Sequence, residues 1–163
     1  MTLTVLTIRN RQRALGINSR YLRRIILHLI REELAFESFD MAIQLVGEDV
    51  MVEYNSAYLK HEGCTDVITF NNSMPGQIPG LQGDIMVCVP EAVRQAKRYR
   101  VTWQKELVRY IIHGMLHLCG YDDHKASDRR TMKGMENRIL GRLAREFDLN
   151  RLSAPLGKAS RAC

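Results

Sequence analysis

The sequence predicts an α+β fold, a small mixed four-stranded sheet packed with helices, in which a helix bearing paired histidines is central. Three observations predict it. Short alternating or β-branched segments are separated by stretches of helical period. Two of the strand segments follow one another with only a loop between them, which breaks a pure strand–helix alternation. The chain has 163 residues, 45% hydrophobic and 26% charged, enough for one domain with its own core.

The elements follow in order. Thr2 to Arg9 alternates and reads as a strand. Asn18 or Ser19 can cap a helix running to about Leu34, with Leu22, Ile25, Ile26, Leu29 and Ile30 as its buried stripe. Phe39 to Val46 alternates again as a second strand, and Glu48 to Lys60 fits a short helix. Thr65–Phe70 and Gly83–Val89 read as the third and fourth strands, joined by a Pro- and Gly-bearing loop over Asn71–Gln82. Pro90 opens a helix that ends near Val101. Thr102 then caps a helix with Leu107, Tyr110, Ile111, Gly114 and Leu118 facing the core. Ser127 caps a last helix with Met132, Met135, Ile139, Leu143 and Phe147 inward. The pattern fades after Asn150. One domain is therefore expected over residues 1–150, with a mobile tail over 151–163. The eight methionines fall mostly at such inward positions and read as packing.

No apolar run approaches the roughly 20 residues of a membrane span. The first residues lack a basic stretch ahead of a long apolar one, so no signal peptide is expected. Four cysteines show no CxxC spacing and read as reduced thiols, which points to the cytoplasm. The net charge of +6 is uneven. Residues 1–31 carry seven Arg and no acid, residues 32–89 ten acids against one Lys, and residues 125–163 ten Lys or Arg against four acids. Such a field could receive a polyanion, although solvated helix faces give the same pattern. No pattern fixes an oligomeric state.

The chemistry concentrates in His113-Gly114-Met115-Leu116-His117-Leu118-Cys119-Gly120-Tyr121-Asp122-Asp123-His124, which holds three of the five histidines. His113 and His117 lie one turn apart on one helix face. Gly120 is a natural helix stop, after which the chain can offer Asp123 or His124 as a third ligand. Two imidazoles and one further ligand are how a catalytic zinc is held with one position open. In the zinc-protease signature H-E-x-x-H the Glu is the general base; here Gly114 stands at that position and takes no proton, which argues against a standard zinc protease. Cys119 is a conceivable fourth ligand but reads better as a small buried residue.

The run resembles the YbeY family of bacterial single-strand-specific endoribonucleases, whose motif is H-G-x-x-H-L-x-G-Y-D-H. Asn55-Ser56-Ala57-Tyr58 and Thr65-Asp66-Val67-Ile68-Thr69-Phe70 are similar to the family's N-x-x-Y and T-D-V-[LI]-[ST]-F, and Gly83-Asp84-Ile85 to its G-D-I. With the element order, the likeness spans about residues 1–148. It implies zinc-dependent cleavage of single-stranded RNA, in the maturation of the 3′ end of small-subunit ribosomal RNA and in ribosome quality control, with ribosomal RNA or the ribosome as partner. It also implies His113 and His117 as metal ligands. The chain has one more residue than the motif before the final His. Family register thus puts Asp123 at the third ligand and residue type puts His124 there; residue type is preferred, with the other residue left as a support or proton acceptor. The Arg that many members carry directly after the Tyr of N-x-x-Y is Leu59 here. Lys60 or His61 is the nearest replacement for its charge, giving Lys60, His61 and Asp123 as catalytic candidates. Arg20, Arg23, Arg24 and Lys60 are candidates for holding flanking phosphates. Tyr121 is a candidate base-stacking residue, His28 reads as structural, and Asp84 as structural or supporting. A zinc hydrolase of peptides or small molecules, and a ribosome-associated binding protein with a structural zinc, share the ligands and stand as rivals.

Overall fold

A computed structural model describes residues 2–59, 66–76 and 80–156, the side chains of residues 58 and 59 excepted. Strand β1 (Thr4–Asn10) leads through helix α1 (Ser19–His28) to β2 (Phe39–Val46). Helix α2 (Glu48–Tyr54) precedes the antiparallel pair β3 (Val67–Phe70) and β4 (Leu81–Cys88). Helices α3 (Val89–Tyr99), α4 (Trp103–Leu118) and α5 (Ala126–Glu146) complete the chain, with a 3₁₀ turn at Leu149–Leu152. The sheet order is β1-β2-β4-β3. β1, β2 and β4 run parallel, and β3 pairs antiparallel with β4, Val67 opposite Val87 and Phe70 opposite Asp84. The expected α+β class, the mixed four-stranded sheet and the central histidine helix are all present.

Local chemistry explains the ends. Asn18 is the cap of α1, its side chain accepting from the Tyr21 N–H at 3.1 Å. The expected run to Leu34 is completed by a wider π turn over Leu29–Glu33, and the chain leaves it through Ala35 in the left-handed region at φ 58°. Pro90 sits in the first turn of α3, and Thr102 caps α4 by accepting from the Lys105 N–H at 3.3 Å. The last helix begins at Ala126 with Lys125 at its cap position, two residues ahead of the expected cap Ser127.

The main core lies between the sheet and α1, α4 and α5, from Leu22, Ile25, Met41, Ile43 and Ile85 to Ile111, Met115 and Leu143. On the other face α2 covers a smaller cluster of Val46, Met51, Ile68, Met86 and Cys88. α4 is buried on several sides, including Leu107, Val108, Ile111, Ile112, Met115 and Leu116, as its apolar content requires. It lies over β3 and β4, whereas α1 lies over β1 at the opposite edge of the sheet.

The first residues of the expected tail, 151–156, are described, and they pack against the domain. Leu152 is fully buried, Ser153 bridges Ile17, and the Asn18 and Ala154 N–H groups donate to Leu152 O at 2.8 Å and Gly16 O at 3.0 Å. A Cβ on Gly16 would stand 1.9 Å from Ala154 O, so only glycine permits this approach. Residues 157–163 lie outside the described residues. Leu152→Ala is expected to cost about 2–5 kcal/mol in chemical denaturation; a loss below about 0.5 kcal/mol, the range of surface substitutions, would show that this segment does not anchor the core.

Candidate metal centre and adjoining groove

The site is set by where α4 can lie and how it stops. Gly114, between the histidines, packs onto the sheet: a Cβ there would stand 2.9 Å from Ile85 Cγ2 and 3.2 Å from Val67 Cγ1. Gly83 of β4 makes the reciprocal allowance, where a Cβ would meet Phe70 O at 2.6 Å and Leu118 Cδ1 at 2.8 Å. The H-G-x-x-H and G-D-I glycines therefore serve one close helix–sheet contact. The helix stops at Gly120, whose φ is 98°. The Tyr121 N–H donates to Leu116 O and the Gly120 N–H to His117 O, both at 3.0 Å, a Schellman closure. This closure turns the chain back so that the next residues pass over the histidines.

The residue delivered there is Asp123. Its Oδ2 lies 3.5 Å from His113 Nε2 and 3.5 Å from His117 Nε2, and the two Nε2 atoms are 3.0 Å apart. Nitrogen and oxygen ligands about 2.0–2.1 Å from a tetrahedral ion stand about 3.3 Å from one another, so the three donors have spacings that suit a shared metal ion. Of the two residues the sequence offers as third ligand, this geometry sets Asp123 beside the histidines, while His124 groups with Asp122 and Asp123 on the outer side of the turn. The His124 side chain is 86% exposed, 3.4 Å from Asp122, and does not join the three-donor group. The physical reason is the tight glycine closure, which absorbs no extra residue and so brings the family-register position inward.

Two residues hold this arrangement. The buried Glu136 of α5 hydrogen-bonds His113 Nδ1. With Nδ1–H donating to the carboxylate, the Nε2 lone pair is left facing the cluster, the tautomer a metal requires. Arg129 donates to the carbonyl oxygens of His124 at 2.8 Å and Asp123 at 3.4 Å, tying the turn to α5. Burial by itself would lower the His113 pKa; the Glu136 hydrogen bond and charge, with Asp66 and Asp123 beside them, outweigh it and raise the pKa above the ordinary histidine value. Burial also raises Glu106, against Arg109 and with Glu136 and Asp66, and raises the Tyr110 phenol far above its usual range, with Asp66 and Glu106 adding to the effect. The carboxylates of Asp66, Glu106, Asp123 and Glu136 thus make the locality electronegative, as a cation site requires. Glu136→Gln is expected to weaken metal binding about 10–100-fold, measured by competition with a chromophoric chelator; unchanged affinity would remove the orienting role.

A cavity of about 420 Å³ runs from His113 and Asp123 along α4 and α5 to Tyr99 and Val101. Its cations are Arg109, Arg129 and Lys133. The arginines expected to hold phosphates are elsewhere: Arg20, Arg23 and Arg24 are exposed on α1, with Arg23 donating to Leu6 O and Arg24 stacked 5.6 Å from the Tyr21 ring. Lys60 and His61 lie outside the described residues. Cys119 is half-buried, its thiol pKa raised by burial, and it is not in the three-donor group. Asp84 accepts from Asn72 at 3.3 Å, His28 packs edge-on to Phe147 at 5.3 Å, and Tyr121 is partly exposed beyond the helix stop.

Glu136, Arg129, Arg109 and Lys133 escaped the sequence reading. One signal for Glu136 was present: an acid four residues after Met132, on the stripe that buries Met132, Ile139 and Leu143. A buried carboxylate requires a partner.

Comparison with known proteins agrees with this architecture. The family model described as endoribonuclease YbeY matches residues 7–144. The proteins named endoribonuclease YbeY from Macrococcus caseolyticus and Finegoldia magna are 32% and 31% identical to the chain, over 73% and 83% of its length and 81% and 92% of theirs. One from Myxococcus xanthus is 32% identical over 67% of the chain, which spans 38% of that longer relative. The solution structure of a Thermotoga maritima protein superimposes with a TM-score of 0.63 at 25% identity, covering 98% of this chain and 99% of that one. A helix–glycine–turn that gathers two histidines and a carboxylate over a mixed sheet, together with these matches, shows that the chain belongs to the YbeY family of endoribonucleases, enzymes acting on RNA phosphodiester bonds.

Proposed function

We propose that the chain is a zinc-dependent, single-strand-specific endoribonuclease acting in the cytoplasm on ribosomal RNA, in the maturation of the 3′ end of the small-subunit RNA and in ribosome quality control. The observation that carries the reading is the convergence of His113, His117 and Asp123 at 3.0–3.5 Å from one another, with the Asp123 side chain still 35% exposed. Those three residues would hold one zinc, and three protein ligands leave one position for solvent or substrate. When bound, zinc supplies a Lewis acid for a phosphoryl oxygen and lowers the pKa of water at the site.

The chain's own residues do the rest. Glu136 fixes the His113 tautomer and Arg129 fixes the turn carrying Asp123. Lys60 and His61 are proposed to supply the positive charge that Leu59 does not. Arg20, Arg23 and Arg24, on the far edge of the sheet from the cluster, suit the backbone of a large folded RNA better than the phosphates beside the cut. No helix of the described residues is long and apolar enough to cross a membrane.

His117→Ala is expected to slow cleavage of single-stranded RNA more than about 100-fold, since loss of the metal removes several kcal/mol of transition-state stabilisation. The wild type is expected to leave a duplex of the same sequence uncut. A variant that cuts at the wild-type rate, or a wild type that cuts duplex equally well, would overturn the reading.

A further inference from the structure

The cavity along α4 and α5 extends well beyond the cluster. Glu106, midway along it, is seven residues and thus about 10 Å of helix from His113. At its far end Tyr99 is 62% and Val101 38% exposed, in the turn that Arg100 makes at φ 55°. The Arg98 guanidinium lies 5.7 Å from the centre of the Tyr99 ring, so a base on the opposite ring face would complete a cation–ring–base stack. Along the wall, Arg129, Met132, Lys133 and Glu136 follow one another at helical spacing on one face of α5.

The charges fit an anionic occupant beside a loaded cluster. Glu136 is committed to His113, and Arg109 lies 3.7 Å from Glu106 and 3.9 Å from Glu136. Asp123 belongs to the cluster. Arg129 uses Nη1 on the turn, and Lys133 is exposed with no ion pair among the described residues. These two cations are left to meet a phosphate. At about 420 Å³ the cavity is within the usual 300–1,000 Å³ of small-ligand sites (about one nucleotide and its phosphate).

We propose that this groove is a nucleotide subsite that holds a residue neighbouring the scissile phosphate, its phosphate on Lys133 and Arg129 and its base against Tyr99 and Val101. The inference rests on the RNA-cleaving reading and adds to it where the strand runs: away from the histidines along α4, towards the α3–α4 turn. It also makes the groove sequence-tolerant, since stacking on Tyr99 uses the face that every base has.

The test is fluorescence anisotropy of an end-labelled single-stranded RNA oligonucleotide with zinc-loaded protein across a range of salt. Lys133→Ala is expected to weaken binding and to flatten the plot of log affinity against log salt by about 0.7, the share of one phosphate contact in a single strand. Tyr99→Ala is expected to lose about five-fold or more with the salt slope kept, and Tyr99→Phe to restore it. A merely structural role would not separate affinity from slope in this way. Wild-type affinity and slope in both alanine variants, with RNA still cleaved by the wild type, would overturn the subsite alone. A zinc-loaded wild type that neither binds nor cleaves the oligonucleotide would overturn the functional reading and the subsite together.

Discussion

Asp123→Ala is expected to abolish stable metal binding and RNA cleavage, whereas His124→Ala is expected to keep both. Residue chemistry alone favours the opposite result, because histidine is the commoner zinc ligand beside two other histidines. Position decides it. Asp123 Oδ2 stands at 3.5 Å from both Nε2 atoms, while His124 points outward and is 86% exposed. Removing a donor that touches the ion costs more than removing an outer partner such as Glu136, so the loss should exceed about 100-fold in affinity. Asp123→His is the informative companion, since it supplies the family's residue at the family's register and is expected to retain metal. Metal analysis of the purified variants reads all three. Zinc kept by Asp123→Ala and lost by His124→Ala would show that the turn rearranges on binding and that the described geometry is not the liganded one.

Gly114→Glu is expected to prevent folding, although it writes H-E-x-x-H into the chain and would be the direct route to a zinc protease on sequence grounds. Ile85 Cγ2 at 2.9 Å, Ile85 Cδ1 at 3.1 Å and Val67 Cγ1 at 3.2 Å from the Cβ position leave no room for a side chain that continues beyond Cβ. The carboxylate would be pressed onto the sheet without a partner, at several kcal/mol, a large part of the roughly 5–15 kcal/mol of a typical domain. Gly114→Ala separates the two effects. Overpacking costs about 1–3 kcal/mol, and the gain in helix propensity returns up to about 1 kcal/mol, so a net loss of up to about 2 kcal/mol is expected. Thermal denaturation should show Ala mildly lowered and Glu absent from the soluble fraction or melted. A Gly114→Glu protein as stable as the wild type would mean that α4 does not lie this close to β3 and β4.

What was legible in the chain, and what was not, follows from the range of the interactions. The strand and helix order, the Asn18 and Thr102 caps and the Gly120 stop are local, and each appears where its residue chemistry puts it. The histidine pair was legible because a helix fixes the relation between residues four apart. The third donor was legible only as a choice between Asp123 and His124, because one residue in a turn reverses which side chain faces inward. Glu136 binds a histidine 23 positions earlier, and Arg109, Arg129 and Lys133 meet only where α5 folds back along α4; such pairings depend on how helices cross. The arginines of α1 stand out in the sequence by charge alone, and charge carries no address: their helix covers β1, at the other edge of the sheet. The fully buried Leu152 was hidden because its partner surface, near Gly16 and Ile17, is at the opposite end of the chain.

The central claim is that His113, His117 and Asp123 hold a metal on which RNA cleavage depends. Its most direct test is the cleavage rate of a single-stranded RNA by chelator-stripped wild-type protein, before and after one equivalent of zinc, beside His113→Ala purified in the same way. The account predicts a stripped enzyme slowed more than about 100-fold, recovery with one zinc per chain, and no recovery for His113→Ala. Full-rate cleavage by the stripped protein, with His113→Ala equally active, would contradict it.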